Sequence, residues 1–231
     1  VHGVMNTDNM AVSGETIDFG PCAFMDHYDP HALFSSIDQN GRYAFSNQPL
    51  IAQWNLSRLA ETLVPLVDAD QDKSVAALTA VLEAFPVRFE AERLAVMRRK
   101  FGLTAARDGD AALIKQLLDL MQLETVDHTI AFRALADGGS IGSFADFDAL
   151  FADKQSLAEW ALSWNERRLS EGGNAADTAS MMRAANPAFI PRNHRIEEAI
   201  RAAEDHNDFV PFHRLADVLS KPLVDQPEHA D

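Results

Sequence analysis

"PLIAQWNLSRLAETLVPL", residues 49–66, is where the chain turns from irregular to periodic. Its apolar residues recur at helical spacing, which predicts Leu50, Trp54, Leu56, Leu59 and Leu63 near one face. Pro49 suits a first helical position, where no backbone N–H is required. Toward the C-terminus the same period predicts helices over 74–101, 109–122, 124–136, 144–152, 154–171, 176–185, 194–204 and 209–220. Asp72 and Ser74 are expected to open the 74–101 helix, Gly172-Gly173 to close 154–171, and Asn186-Pro187 to end the helix bearing Met181 and Met182. Trp54, Trp160 and Trp164 fall among apolar neighbours and read as core.

Residues 1–48 read differently. "MAVSG" and "ETIDFG" flank Ser13-Gly14 and predict a small β-hairpin. Pro21, Pro30, Gly41 and the polar run "SSIDQNGR" then break any regular element, leaving a long connection of the kind that carries function. The expected fold is therefore mainly α with a β-hairpin near the N-terminus, divided into 1–48 and a helical body over 49–231.

Of 231 residues, 47% are apolar, enough to fill a real core. The 35 acidic residues outnumber 20 basic ones, for a net charge of −15. That balance argues against a nucleic-acid partner, since phosphate binding needs clustered Lys and Arg. The short basic clusters, Arg98-Arg99-Lys100 and Arg167-Arg168, lie inside helical patterns. No apolar run approaches the roughly 18 residues of a membrane span. The lone cysteine, Cys22, precludes an internal disulfide, fits a reducing compartment and sits among apolar neighbours as a packed side chain.

The chemistry-bearing stretch is "HGVMNTDNMAVSGETIDFGP", residues 2–21. Asp8, Asn9 and Asp18 are oxygen donors, and a hairpin would fold Asp18 back beside Asn9. An amide and a carboxylate, with water and phosphate completing the shell, suit Mg²⁺. Asp18-Phe19-Gly20 matches the metal-binding Asp-Phe-Gly element of protein kinases, and His2, Val4 and Asn9 keep the spacing of a kinase catalytic loop. Val4 stands where a kinase has its catalytic Asp and cannot accept a proton, which leaves Asp8 as the nearest carboxylate able to do so. A polar turn without catalysis accounts for these residues equally well.

Elsewhere the chemical signals are weaker. "DADQDKSVAALT", Asp68 to Thr79, has the acidic spacing of a calcium loop but Lys73 at the turn glycine and Thr79 at the bidentate Glu, so Asp72 reads as a helix cap. Arg192, Asn193, His194 and Arg195 read as a tie between a loop and a helix start. His27, His31, His128, His206, His213 and His229 have no metal-ligand spacing.

Taken together, "HGVMNTDNM", "TIDFGP", "FMD" followed by "YDP", "GRY", "NQP", "WNL.RLA" and "NPAFIPRNHR.EEAI" resemble the selenoprotein O family, in order and over nearly the whole chain. The resemblance implies the C-terminal lobe of a protein-kinase-like fold. It implies an enzyme that binds ATP in a flipped orientation and transfers AMP, not phosphate, to Ser, Thr or Tyr hydroxyls of protein substrates. Asn9 and Asp18 would hold Mg²⁺, or Mn²⁺ in its place, with Asp8 as general base or as the group that positions the acceptor hydroxyl. It also implies a nucleotide-binding N-terminal lobe ahead of His2, so the isolated chain is expected to be inactive and to expose an apolar face. A C-terminal redox segment would follow, and Cys22 is not at that position. A bacterial cytoplasm is the expected location, with no membrane partner. Two other functions remain open: a catalytically silent pseudokinase acting as a nucleotide-binding scaffold, and a conventional protein kinase.

Overall fold

The computed structural model describes residues 1–138, 144–172 and 174–229. Its regular structure is helical: α1 (Gln48–Val67), α2 (Gln71–Lys100), α3 (Asp110–Leu123), α4 (His128–Gly138), α5 (Ala145–Ala149), α6 (Lys154–Leu169), α7 (Ala175–Ala185), α8 (Asn193–His206) and α9 (Val210–Leu219). Short 3-10 turns occupy Thr7–Asn9, Phe45–Asn47 and Pro227–His229. The mainly α expectation holds. The described residues contain isolated β-bridges but no strand.

The chain forms two compact units, one of Val1–Ala23 with Pro30–Arg93, the other of Phe24–Asp29 with Leu94–Asp231. The second holds the large core. Phe101, Leu103, Ile114, Leu117, Met121, Phe132, Leu135, Phe147, Leu157, Trp160, Trp164 and Met182 are buried together. Within it α3 packs on α6, α4 on α5 and α7, and α8 on α9. Trp160 and Trp164, one helical turn apart, stack with ring planes 8° apart, and each satisfies its buried indole N–H on a carbonyl, Trp160 on Leu113 at 3.0 Å and Trp164 on Phe101 at 2.9 Å. These two tryptophans are core, as the spacing predicts.

Trp54 is not. It is 42% exposed, and Leu50 and Leu59 are exposed with it, whereas Ala52, Asn55 and Ala60 face inward. The predicted apolar face of α1 is thus rotated, because the small residues and one amide make the close contacts while the large ones remain outside.

Local capping explains the other shifted boundaries. α2 begins at Gln71 rather than 74, since Asp70 accepts a hydrogen bond from Asp72 N at 3.0 Å and acts as the cap. Asp72 lies inside the first turn, and Ser74 is buried, bonded to Asp68. α4 starts only at His128 because the preceding residues are spent on pairing: Tyr28 N donates to Val126 O and His128 N to Asp26 O. α6 and α7 carry ordinary side-chain caps, Asp153 on Ser156 N and Asn174 on Asp177 N. Gly172 lies past the end of α6 with φ 73°, while Gly173 lies outside the described residues.

A buried charge network closes the α3–α6 contact. Asp110, 2% exposed, accepts from Arg167 Nε at 2.7 Å, and Arg167 also reaches Glu171 at 2.7 Å. Glu171 in turn accepts from Thr104 N, Thr104 Oγ1 and Ala105 N. Burial alone would raise the Glu171 pKa, but the Thr104, Arg167 and Ala105 hydrogen bonds outweigh it and hold the carboxyl at about 2, below its ordinary 4.5. Its contribution is therefore complete above pH 4.5 and is lost as pH falls toward 2. Glu171→Gln is expected to cost on the order of 2 kcal/mol at neutral pH and almost nothing near pH 2, measured by denaturant unfolding across that range. An equal loss at both ends would contradict this assignment.

Candidate functional site

The polar stretch 2–21 lies in the first unit as a loop whose ends are joined. Gly3 N donates to Pro21 O at 2.8 Å, Ala23 N to Val1 O at 3.0 Å, and His2 forms an antiparallel bridge with Cys22. Gly3 is required at this closure, since a Cβ there would lie 2.8 Å from the Phe34 carbonyl and 2.9 Å from Pro21 O. The expected hairpin around Ser13-Gly14 is absent. Gly14 N bonds Ala11 O to make a turn, but its flanking residues stay exposed without packing on a partner face, and the pairing forms at the loop ends instead.

Helix α1 holds the loop from beneath. Asn55, 4% exposed, donates through Nδ2 to Met5 O at 3.0 Å and lies 2.9 Å from Met10 Sδ. Gln48 Nε2 donates to His2 O at 2.7 Å and to Tyr43 O at 3.3 Å. Tyr43 OH donates to Asn6 Oδ1. These groups pin the loop at residues 2, 5 and 6, leaving Asp8 exposed on the short 3-10 turn.

Of the candidate side chains, Asn9 is the most strongly oriented. Its Nδ2 donates to Val4 O at 2.8 Å, which leaves Oδ1 available. Position 4 thus serves through its carbonyl, whatever its side chain. Asp18 is exposed; its Oδ1 accepts from Gly20 N at 3.1 Å and Oδ2 remains available. Among the described residues no hydrogen bond joins Asp18 to Asp8 or Asn9, so the loop carries all three without closing them into a bonded cluster. The donor types suit a hard divalent cation, one oriented amide oxygen and one carboxylate oxygen with solvent access for water and phosphate ligands, although no group of three or more His, Cys, Asp or Glu that could hold a metal ion occurs among the described residues. Val12 (93% exposed), Ile17 (60%) and Phe19 (72%) form the loop's apolar outer surface.

Asn6, Tyr43, Gln48 and Asn55 were not singled out by sequence. No local pattern marks them, since Asn55 lies off the apolar face that periodicity predicts for α1. The second cluster resolves as a structural tie in the other unit. Arg192, at the start of α8, reaches Asp26 at 2.5 Å and Asp127 at 2.7 Å, joining the 24–29 segment to the residues before α4. The acidic run at 68–79 is turn and helix start, with Asp68 and Asp70 spent on backbone N–H groups.

The model of the family "Protein adenylyltransferase SelO" matches residues 1–220. The chain belongs to this family. It is similar over its whole length to proteins named protein nucleotidyltransferase YdiU, 53% identical to one from Rhizobium johnstonii and 51% to one from Bradyrhizobium sp. strain ORS 278. A third, from Methylorubrum populi, is 51% identical. The chain covers 46%, 47% and 48% of these proteins, about half the length of the curated relatives it matches. The resemblance seen in the sequence words is thus borne out. No helix among the described residues is long and apolar enough to cross a membrane.

Asn55→Asp preserves shape but removes the donor and sets a carboxylate against the Met5 carbonyl. It is expected to destabilise the chain by about 1–3 kcal/mol in urea unfolding. An unchanged midpoint would show that α1 does not hold the loop through this bond.

Proposed function

We propose that this chain is the metal- and acceptor-binding part of a protein adenylyltransferase, which transfers AMP from ATP to hydroxyls of Ser, Thr or Tyr in other proteins. The observation that carries the reading is the loop 2–21, anchored on α1 with Asp8 and Asp18 exposed and Asn9 partly so, in a chain of the SelO family. We read 1–48 as the catalytic loop and a connection resembling an activation segment, and 49–231 as the helical body of a kinase-like C-terminal lobe. Since the chain spans about half of its relatives, the activity belongs to the longer protein, and a lobe supplied by the rest of that protein completes the nucleotide site. A bacterial cytoplasm, which supplies ATP and Mg²⁺, is the compartment this reading needs.

In this reading Asn9 Oδ1 and Asp18 Oδ2 hold Mg²⁺. When bound, the ion supplies charge neutralisation to the polyphosphate. Asn9 keeps its orientation through Val4 O, and Asp18 through Gly20 N. Asp8, free of protein partners among the described residues, accepts the proton of the acceptor hydroxyl as its oxygen attacks the α-phosphate and pyrophosphate leaves. Val4 offers no carboxylate for conventional phosphoryl transfer, which favours attack at the α- over the γ-phosphate.

The test uses this segment within its natural longer chain and ATP labelled at either phosphate. Label from the α-phosphate alone should enter protein. Asp8→Asn should slow this by about 10²–10⁴-fold, and Asp18→Ala should abolish labelling. Label from the γ-phosphate would make the protein a kinase, and binding of nucleotide without either label would leave a scaffold.

A further inference from the structure

Two guanidinium groups lie over the ring of the exposed Trp54, Arg42 Cζ at 4.7 Å and Arg58 Cζ at 5.3 Å from its centroid. The two arginines are not equivalent. Arg58 is neutralised by Glu61 at 2.7 Å. Arg42 has no carboxylate partner among the described residues; its guanidinium contacts only the faces of Trp54 and, at 5.8 Å, Tyr43. In a chain of net charge −15, a guanidinium left to an aromatic ring keeps its donors free for an external anion.

The backbone beneath Arg42 is also set in advance. Buried Asp38 accepts from Arg42 N and Tyr43 N, both at 2.8 Å, and Gly41 takes φ 66° to close the turn. Asn47 Nδ2 bonds Gly41 O at 2.8 Å. Tyr43 then bonds Asn6, two residues from Asp8, so the turn that carries Arg42 is fastened to the loop that carries Asp8. Leu50, 66% exposed, adds apolar surface on the same helix as Trp54.

We propose that Arg42 and Trp54 form a docking surface for an acidic segment of the acceptor protein, with Arg42 binding a carboxylate beside the hydroxyl that is modified. Charge complementarity selects this occupant: an unpaired guanidinium with free edge donors on an aromatic platform takes a carboxylate, and the tie through Tyr43 puts that carboxylate near Asp8. Identification of the segment as part of an acceptor rests on the reading given above, whereas binding itself does not. Arg42 is a positioning residue in this scheme.

Trp160 and Trp164 are buried, so acrylamide quenching of tryptophan fluorescence reports mainly on Trp54. The purified chain is titrated with a peptide of one serine among four glutamates and with its glutamine counterpart. The glutamate peptide is expected to shield Trp54, with affinity about tenfold weaker in Arg42→Gln and partly recovered in Arg42→Lys. Equal shielding by the glutamine peptide, or unchanged affinity in Arg42→Gln at an unchanged melting temperature, would overturn the proposal. In the longer protein, Arg42→Gln should raise KM for the glutamate peptide and leave kcat unaltered. Shielding without any nucleotide transfer would contradict the assigned reaction and uphold the surface; transfer with an unchanged KM would do the reverse.

Discussion

One hydrogen bond organises the loop on which the functional reading depends: the donation from buried Asn55 to the carbonyl of Met5. A loop rich in polar residues gains little by burial and would otherwise sample many conformations. Asn55 meets one of its carbonyls from beneath, Gln48 meets another, and Tyr43 takes a side chain, so a segment without a strand or full helical turn still has a defined course. Asn9 inherits that order, because the Val4 carbonyl that orients its amide lies next to Met5. The side chains without such ties, Asp8 and the Asp18 Oδ2 oxygen, are those assigned to the proton and the metal.

The sequence words that carry the resemblance to this family have different physical causes. Gly3 is confined by backbone atoms on both sides, where no Cβ fits. Arg192 and Asp26, from words far apart in the chain, meet in one ion pair. The hydrogen bonds that Arg192 donates to Asp127 and Asp26 raise its pKa against the cost of burial and keep it charged. Arg42 and Trp54 sit at the surface with no comparable structural duty. The same set of words therefore contains closure, tethering and display.

Much of the helical body was legible, since apolar periodicity and end signals such as Gly172 and Asn186-Pro187 act locally. The large core followed, with Trp160 and Trp164 in it. Periodicity failed where it weighs side chains by size: on α1 it chose Leu50 and Trp54, but the helix buries the small Ala52 and Ala60 and the donor Asn55, which meets the loop. The start of α4 and the missing hairpin share a cause, pairing to distant residues, Tyr28 with Val126 and Gly3 with Pro21, which no local pattern reports. Asp8, Asn9 and Asp18 stand out in the sequence as oxygen donors, but the residues that orient and support their loop do not, because their value lies in the carbonyls they meet.

The central claim is that the α1-anchored loop presents Asn9 and Asp18 as a divalent-metal site. Paramagnetic broadening by Mn²⁺, titrated into the chain and followed residue by residue in amide spectra, tests it most directly. The account predicts that signals of Asn9, Asp18 and Gly20 broaden first, at Mn²⁺ concentrations that leave the acidic helix surfaces sharp. Broadening that begins instead along α8, at Glu197, Glu198 and Glu204, and spares the loop would contradict it.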